Sequence, residues 1–295
     1  MKIGIVGSGA LGLLFATYLS ELHEVFLFTK RKEQADIINE KGIERIFQNK
    51  KKYVEVLAFP INKMIRQGLD LLIVTVKQYH LTEMIEYFQT HAHIPTLFVQ
   101  NGMKHLELLK QLPHPQLYIG TVEHGALRLS DNAVRHTGIG KLNVAVFRGD
   151  RNILEKLCER PIPNFPVIIV ENGTEMLLKK LAVNALINPL TAVLQVRNGQ
   201  LISNKHYFHL MNQLLNEFVA VFPNFHLLTL LEHIVHICQT TSANRSSMLQ
   251  DLERGRKTEI DGIVGYILDE AKKKEIQVPL FETLYWMIKG KEEES

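Results

Sequence analysis

Hydrophobic positions follow two different patterns along the chain. In the first half they come as short, nearly continuous apolar runs, Ile3-Gly4-Ile5-Val6, Val25-Phe26-Leu27-Phe28, Leu71-Leu72-Ile73-Val74 and Leu97-Phe98-Val99, each closed by polar or turn-forming residues. Runs of that length without polar alternation read as strands buried on both faces, as in parallel sheets. Further strands are expected at Tyr118–Val122, Val134–Lys141, Leu142–Val146 and Val167–Val170, the first two in one sheet about a turn at Ser130-Asp131-Asn132. Residues 33–69 read as a helix, a polar excursion through Gln48–Lys52 whose lysines mark a solvated turn, and a strand near Tyr53 to Ala58. From about Glu171 the period becomes helical, with amphipathic segments at Asn204–Phe222 and Leu227–Cys238 and a frayed tail beyond Gly290. The expected architecture is α/β: a doubly wound Rossmann-type domain over 1–170, then an all-helical domain over 171–295.

One helical stretch departs from simple amphipathicity. Lys180, Asn184 and Asn188 fall four apart and stack on one face, while Leu181, Val183, Leu186 and Ile187 make the other faces apolar, up to Pro189, where the stretch ends. Burying such a stripe without partners costs several kcal/mol, so it implies a wet cleft, a ligand, or polar groups opposite. The plainer alternative is that Lys180 snorkels to solvent and the asparagines cap neighbouring backbone.

The first run leads directly into Gly7-Ser8-Gly9-Ala10-Leu11-Gly12 and an apolar helix. Gly7 permits the tight turn, Gly9 lets a pyrophosphate approach the backbone, and Gly12 allows the helix to pack on the strand. The strand–turn–helix context is what makes this G-x-G-x-x-G a dinucleotide signature. After the second run, where an acidic residue would bind a 2'-hydroxyl, the chain reads Thr29-Lys30-Arg31-Lys32. A hydroxyl and a run of cations suit the 2'-phosphate of NADP, the alternative being a solvated basic loop. Lys77 and Asn101 follow the third and fourth runs, at the strand edge where ligands of open α/β sheets lie; Asn101, before Gly102, is equally readable as a turn residue. Asn244 and Ser247 stand three apart at an expected helix start, able to face a ligand or merely to cap, and Glu259 lies in a charged patch.

Composition narrows the classes. A chain of 295 residues, 46% hydrophobic, can bury a sizeable core, and a net charge of +3 with interspersed signs lacks the footprint of a nucleic-acid binder. Cys158 and Cys238 lie far apart in apolar contexts, as reduced structural thiols do, and the scattered histidines show no metal-ligand spacing, so no metal is expected and His124 and His136 read as structural. No apolar run reaches bilayer-spanning length and the chain begins in a strand, so a cytoplasmic protein without membrane partners is expected.

The motifs together resemble the ketopantoate reductase (2-dehydropantoate 2-reductase) family. The likeness rests on G-S-G-A-L-G at Gly7–Gly12, V-K-Q at Val76–Gln78, N-G-M at Asn101–Met103, H-G-A at His124–Ala126, H-T-G-x-G at His136–Gly140, K-L-A-V-N-x-x-x-N-P-L-T-A at Lys180–Ala192, and S-S-M-L-Q-D with T-E-I-D between Ser246 and Asp261. It implies an NADP domain followed by a helical domain, with the active site between them. It further implies that Lys180 protonates the ketone oxygen as hydride arrives from NADPH, that Asn184, Asn188, Asn244 and Ser247 hold ketopantoate, that Glu259 is a carboxylate near the cofactor and the lysine, and that Lys77 and Asn101 line the cofactor cleft. The alternatives are reduction of another branched 2-oxo acid, or a catalytically silent NADPH sensor, against which the joint presence of Lys180, Asn184, Ser247 and Glu259 speaks. A homodimer formed through the helical half is compatible with the chain.

Overall fold

The computed structural model describes residues 1–66 and 68–294. In order the chain forms β1 (Lys2–Val6), α1 (Ala10–Leu19), β2 (Glu24–Thr29), α2 (Lys32–Lys41), β3 (Ile43–Phe47), β4 (Lys50–Val54), β5 (Leu57–Pro60), β6 (Leu71–Val74), α3 (Ile85–Thr90), β7 (Thr96–Phe98), α4 (His105–Gln111), β8 (Leu117–Val122), β9 (Gly125–Arg128), β10 (Ala133–Gly138), β11 (Leu142–Arg148), α5 (Asn152–Cys158) and β12 (Val167–Ile169). There follow α6 (Gly173–Leu194), α7 (Gln200–Ser203), α8 (Lys205–Val221), α9 (Leu227–Thr240), α10 (Ser247–Leu252), α11 (Ile260–Lys273) and α12 (Pro279–Glu293). Two compact units result: Met1–Gln100 with Glu107–Met176, and Asn101–Leu106 with Leu177–Ser295.

The first unit is a doubly wound sheet of order β12-β11-β8-β7-β6-β1-β2-β5. β1 lies parallel between β2 and β6, with Val6 opposite both Phe28 and Val74, so these strands end at one edge, where Gly7 begins the turn into α1. The apolar runs predict this: Ile3, Ile5, Leu27, Leu71 and Ile73 are buried on a sheet covered from both sides. α1 is buried along its whole length from Gly12 to Leu19, because it packs on β1 and β2 and also on β9 and β10 of a second sheet.

That second sheet, of order β4-β3-β10-β9, corrects the sequence reading at several points. The segments at Tyr118–Val122 and Val134–Lys141 belong to different sheets, because Gly125–Arg128 forms a strand of its own that pairs antiparallel with β10. The lysines of the polar excursion lie on strand β4; the turn is at Gln48 and Asn49, both with positive φ, as a two-residue hairpin requires. Lys51 and Lys52 are paired with Glu44 and Glu21. The expected strand over 53–58 is split between β4 and β5.

The second unit is helical. α8 is capped by Asn204, whose side chain accepts from the His206 amide at 2.9 Å, and buries Met211, Leu214, Leu215, Phe218 and Val221 against α9, α11 and α12. Each such side chain is worth about 1.5–3 kcal/mol of transfer free energy. α6 does not end at Pro189 but continues to Leu194, since flanking side chains from Leu181 to Ala192 are all buried and their packing offsets the lost backbone bond. At 22 residues α6 is long and apolar enough to cross a membrane, contrary to the reading that no run is; its most apolar window is 72% buried, as in a core helix. Nor is the tail frayed over its whole length: the Glu292 carboxylate accepts from the Thr258 amide (2.7 Å) and hydroxyl (2.6 Å), and α12 persists to Glu293.

Candidate active site

In the first unit the residues marked by the sequence form a backbone-defined turn. Gly7 has φ +105 and its amide donates to Phe28 O at 3.0 Å, while a Cβ on Gly12 would sit 1.8 Å from Gly7 O, so only glycine fits there. A Cβ on Gly9, by contrast, would meet nothing within 4 Å. Gly9 is the N-cap of α1 and is exposed, with Ala10 and Leu11 in the first turn: an open cradle at a helix N-terminus, of the kind that takes a phosphate. Thr75 Oγ1 donates towards the carbonyls of Val6 and Gly7, both at 3.0 Å, and braces the turn from β6. Ser8 is buried, its hydroxyl donating to Gln34 Oε1 at 2.7 Å.

Lys30 and Arg31 are exposed beyond β2, and Arg31 is the N-cap of α2. Thr29 is buried, and its hydroxyl donates to Arg31 O at 2.7 Å, so it shapes the loop instead of facing solvent. The Arg31 guanidinium is bound to Asp131. Lys77 follows the β6 edge, half-buried, with Nζ 6.0 Å from the centre of the Tyr79 ring.

The second unit gathers polar groups that lie far apart in sequence. Asn184 and Asn188 are buried, at 7% and 8% exposure, and Lys180, one turn earlier on the same face of α6, is half-buried. Asn101 Nδ2 donates to Glu259 Oε2 at 2.8 Å, and Asn101 Oδ1 faces Asn184 Nδ2 at 3.5 Å. The stripe therefore has polar groups opposite it. What holds Asn101 there is its neighbour: Gly102 has φ +79, a Cβ on it would lie 2.0 Å from Gly262 O, and the Met103 amide donates to that carbonyl at 3.2 Å. Asn101-Gly102 is thus a turn pressed on the start of α11, directly after Glu259, which is the helix N-cap.

Asn244 and Ser247 are exposed beside the start of α10. The cap itself is Ser246, whose Oγ accepts from the Leu249 amide at 3.1 Å and is hydrogen-bonded to Thr191 Oγ1 at 2.7 Å. Thr191 follows Asn188 on α6, so this bond ties Ser247 to the far end of the stripe. Sequence reasoning missed Thr191, Ser246, Gly262, Gln34 and Asp131. Each makes a contact with a residue far away in sequence, for which local spacing carries no signal.

The histidines of interest are bound in the fold. Tyr18 OH is 2.7 Å from His136 Nδ1, and His136 Nε2 is 3.2 Å from His124 Nδ1, which also accepts from the Gly140 amide at 3.1 Å. Gly140 donates to His124 Nδ1, so the bridging proton belongs to His136 Nε2 and the Tyr18 hydroxyl donates to His136 Nδ1. Burial, with His136 adjacent, pushes His124 down to about 4. Both cysteines are free thiols, and burial pushes Cys238 up to about 11.

Comparison with known proteins identifies the family. The family model described as ketopantoate reductase PanE/ApbA matches residues 3–149, and the one described as its C-terminal part matches 172–292. A 2-dehydropantoate 2-reductase of Listeria innocua is 41% identical over 299 residues, covering 100% of this chain and 98% of the relative. That of Bacillus subtilis is 39% identical over 295 residues, covering 99% and 98%. A crystal structure of a probable 2-dehydropantoate 2-reductase from Bacillus subtilis superposes with a TM-score of 0.91 at 38% identity, covering 99% of this chain and 100% of that one. From its glycine turn to its helical half, the chain belongs to the ketopantoate reductase family.

Proposed function

We propose that the chain is an NADPH-dependent 2-dehydropantoate 2-reductase, which reduces ketopantoate to pantoate in pantothenate and coenzyme A biosynthesis. The observation that carries the reading is the chain Asn184, Asn101, Glu259, assembled on the Lys180 face of α6 from segments up to 158 residues apart. Solvating a stray lysine would not need it. Residues 1–170 hold the nucleotide and 171–295 the substrate, with Asn101 joining the second group.

The cradle fits a dinucleotide: open space at Gly9, forbidden space at Gly12, and cations where a 2'-phosphate would lie. Gly7 to Gly12 receive the pyrophosphate on backbone amides, Lys30 and Arg31 receive the 2'-phosphate, and Lys77 and Asn101 line the cofactor side. NADPH, when bound, supplies the hydride. As the ketone at C2 is reduced, negative charge develops on its oxygen, and Lys180 Nζ would deliver the proton that neutralises it. Asn184, Asn188, Asn244 and Ser247 offer hydrogen bonds to the carboxylate and hydroxyl of the substrate, and orient its carbonyl towards Lys180. Glu259, fixed by Asn101, supplies the negative charge that keeps the lysine's ammonium in place. The protein acts in the cytoplasm on a small molecule; a homodimer would join through the helical half and show as a doubled mass in light scattering.

The test is oxidation of NADPH by purified protein with ketopantoate, 2-oxoisovalerate and pyruvate in parallel, the best case being repeated with NADH. Fast turnover with ketopantoate and NADPH is expected. Faster turnover with 2-oxoisovalerate would move the assignment to another branched 2-oxo acid, and tight NADPH binding without any reduction would make the protein a nucleotide sensor.

A further inference from the structure

The small second sheet has no part in the reaction described above, yet its β9–β10 turn reaches the nucleotide site. Arg31 Nη2 donates to both carboxylate oxygens of Asp131, at 2.7 and 2.8 Å, across 100 residues of sequence. Arg128 Nη2 donates to Asp131 Oδ1 as well. Gln34, in the first turn of α2 and only 3% exposed, joins the other side of this contact. Its Nε2 donates to Asp131 O at 2.8 Å and to Ser8 O at 3.1 Å, and its Oε1 accepts from Ser8 Oγ at 2.7 Å. The turn is fastened at its other end too: Asn132 Nδ2 donates to Gly42 O at 2.9 Å, and the Glu44 amide to Asn132 O at 2.8 Å.

These bonds have a directional consequence. The Asp131 contact is made by one terminal nitrogen of Arg31, Nη2, so the two N–H groups of Nη1, on the side away from Nε–H, can still be offered to a phosphate oxygen. A free arginine side chain loses rotamer entropy when it is immobilised, a cost already met where a carboxylate holds it beforehand. A lone carboxylate here would repel a phosphate, but two guanidinium groups and one carboxylate leave the cluster cationic. Burial works against the Asp131 charge, yet Arg31 and Arg128 hold its carboxyl below the ordinary carboxylate value.

We propose that Asp131 is a positioning residue for nucleotide discrimination: from the β9–β10 turn it holds Arg31 ready for the 2'-phosphate, and Gln34 couples this arm to the phosphate loop at Ser8. This rests on the NADP reading of Lys30 and Arg31, which the test separates from it. The measurement is equilibrium binding of NADPH and of NADH to the full chain, by fluorescence of the reduced nicotinamide, for the parent protein, Arg31→Ala, Asp131→Ala and Asp131→Asn.

The parent prefers NADPH, and Arg31→Ala erases most of that preference. Asp131→Ala weakens NADPH about tenfold and NADH less than about twofold, because only the 2'-phosphate contact is lost. Asp131→Asn, whose amide oxygen still accepts from Arg31, stays within about threefold of the parent. Unchanged or tighter NADPH binding in both Asp131 variants would make the carboxylate a bystander or a competitor and overturn the proposal. An equal loss for both nucleotides would reduce Asp131 to a structural support. If Arg31→Ala keeps the full preference, the NADP reading of this loop falls and the positioning role with it; if Arg31→Ala loses the preference and Asp131→Ala does not, only the positioning role falls.

Discussion

At Gly12 a single added methyl group would lie 1.8 Å from the Gly7 carbonyl; at Asn184 the contact is made by the side chain itself, facing Asn101 at 3.5 Å. The glycine turn is defined by what it leaves out, and it lies within six consecutive residues. The polar face of α6 is defined by what reaches it, and its partners come from Asn101 and from the N-cap of α11. The two regions should fail differently. Damage to the turn is steric and spreads into the β1–α1 packing, while damage to the stripe removes one contact and leaves the fold.

Gly12→Ala is the sharpest way to break the first region. We expect NADPH binding to fall by about a hundredfold or more, together with a lower melting temperature, since neither backbone can yield without separating α1 from β1. Equilibrium binding and a thermal melt on one sample read both effects. A variant with normal binding would show that the turn adapts and would remove the steric account.

Acid gives the next largest effect, and it acts on both units. His114 and His124 in the first and His105 in the second are buried, and burial pushes each down to about 4 from an ordinary 6.5. His105 and His114 have no partner on either ring nitrogen among the described residues. The folded values lie below the unfolded ones, so the unfolded chain binds these protons first. Stability is complete above pH 6.5 and is lost as pH falls towards 4, by up to about 3 kcal/mol per histidine. Melting temperature should therefore drop steeply in that window, and His114→Leu should flatten the slope; a flat profile in the parent protein would contradict the assignment.

Asn101→Ala tests the second region. Losing a hydrogen bond to the Glu259 carboxylate, worth about 1.5–3 kcal/mol, should lower kcat about ten- to a hundredfold with ketopantoate and leave the melting temperature within a few degrees. A loss of folding in place of turnover would show that the contact is architectural. The smallest effect belongs to a site remote from both: Asn49→Gly at the β3–β4 turn, where φ is 61°, should stabilise by up to about 1 kcal/mol in a urea melt.

The same contrast explains what was legible in the sequence. Ile3–Val6, Val25–Phe28 and Leu71–Val74 are apolar without interruption because both faces of their sheet are covered, and the glycine turn is local by construction. The small sheet was read poorly: β4 is three exposed lysines and a tyrosine with little alternation, and β9 is four residues whose only mark is pairing with β10. Pro189 marks a helix end locally, yet tertiary burial of Leu186, Ile187 and Leu190 carries α6 past it. The acidic tail looked unsupported because its partner, Thr258, lies 34 residues earlier. On α6, Lys180, Asn184 and Asn188 are visible by period, whereas Gln34, Asp131, Thr191 and Ser246 are not, since each makes its contacts with residues far away in sequence.

In the proposed reaction the glycine turn holds the nucleotide while the α6 face delivers the proton, and Lys180→Ala separates the two roles when NADPH affinity and turnover are read on the same preparation. The account predicts an NADPH dissociation constant within about twofold of the parent and a kcat with ketopantoate lower by about two to four orders of magnitude. Near-normal turnover, or a loss of NADPH binding that alone explains the lost activity, would contradict it.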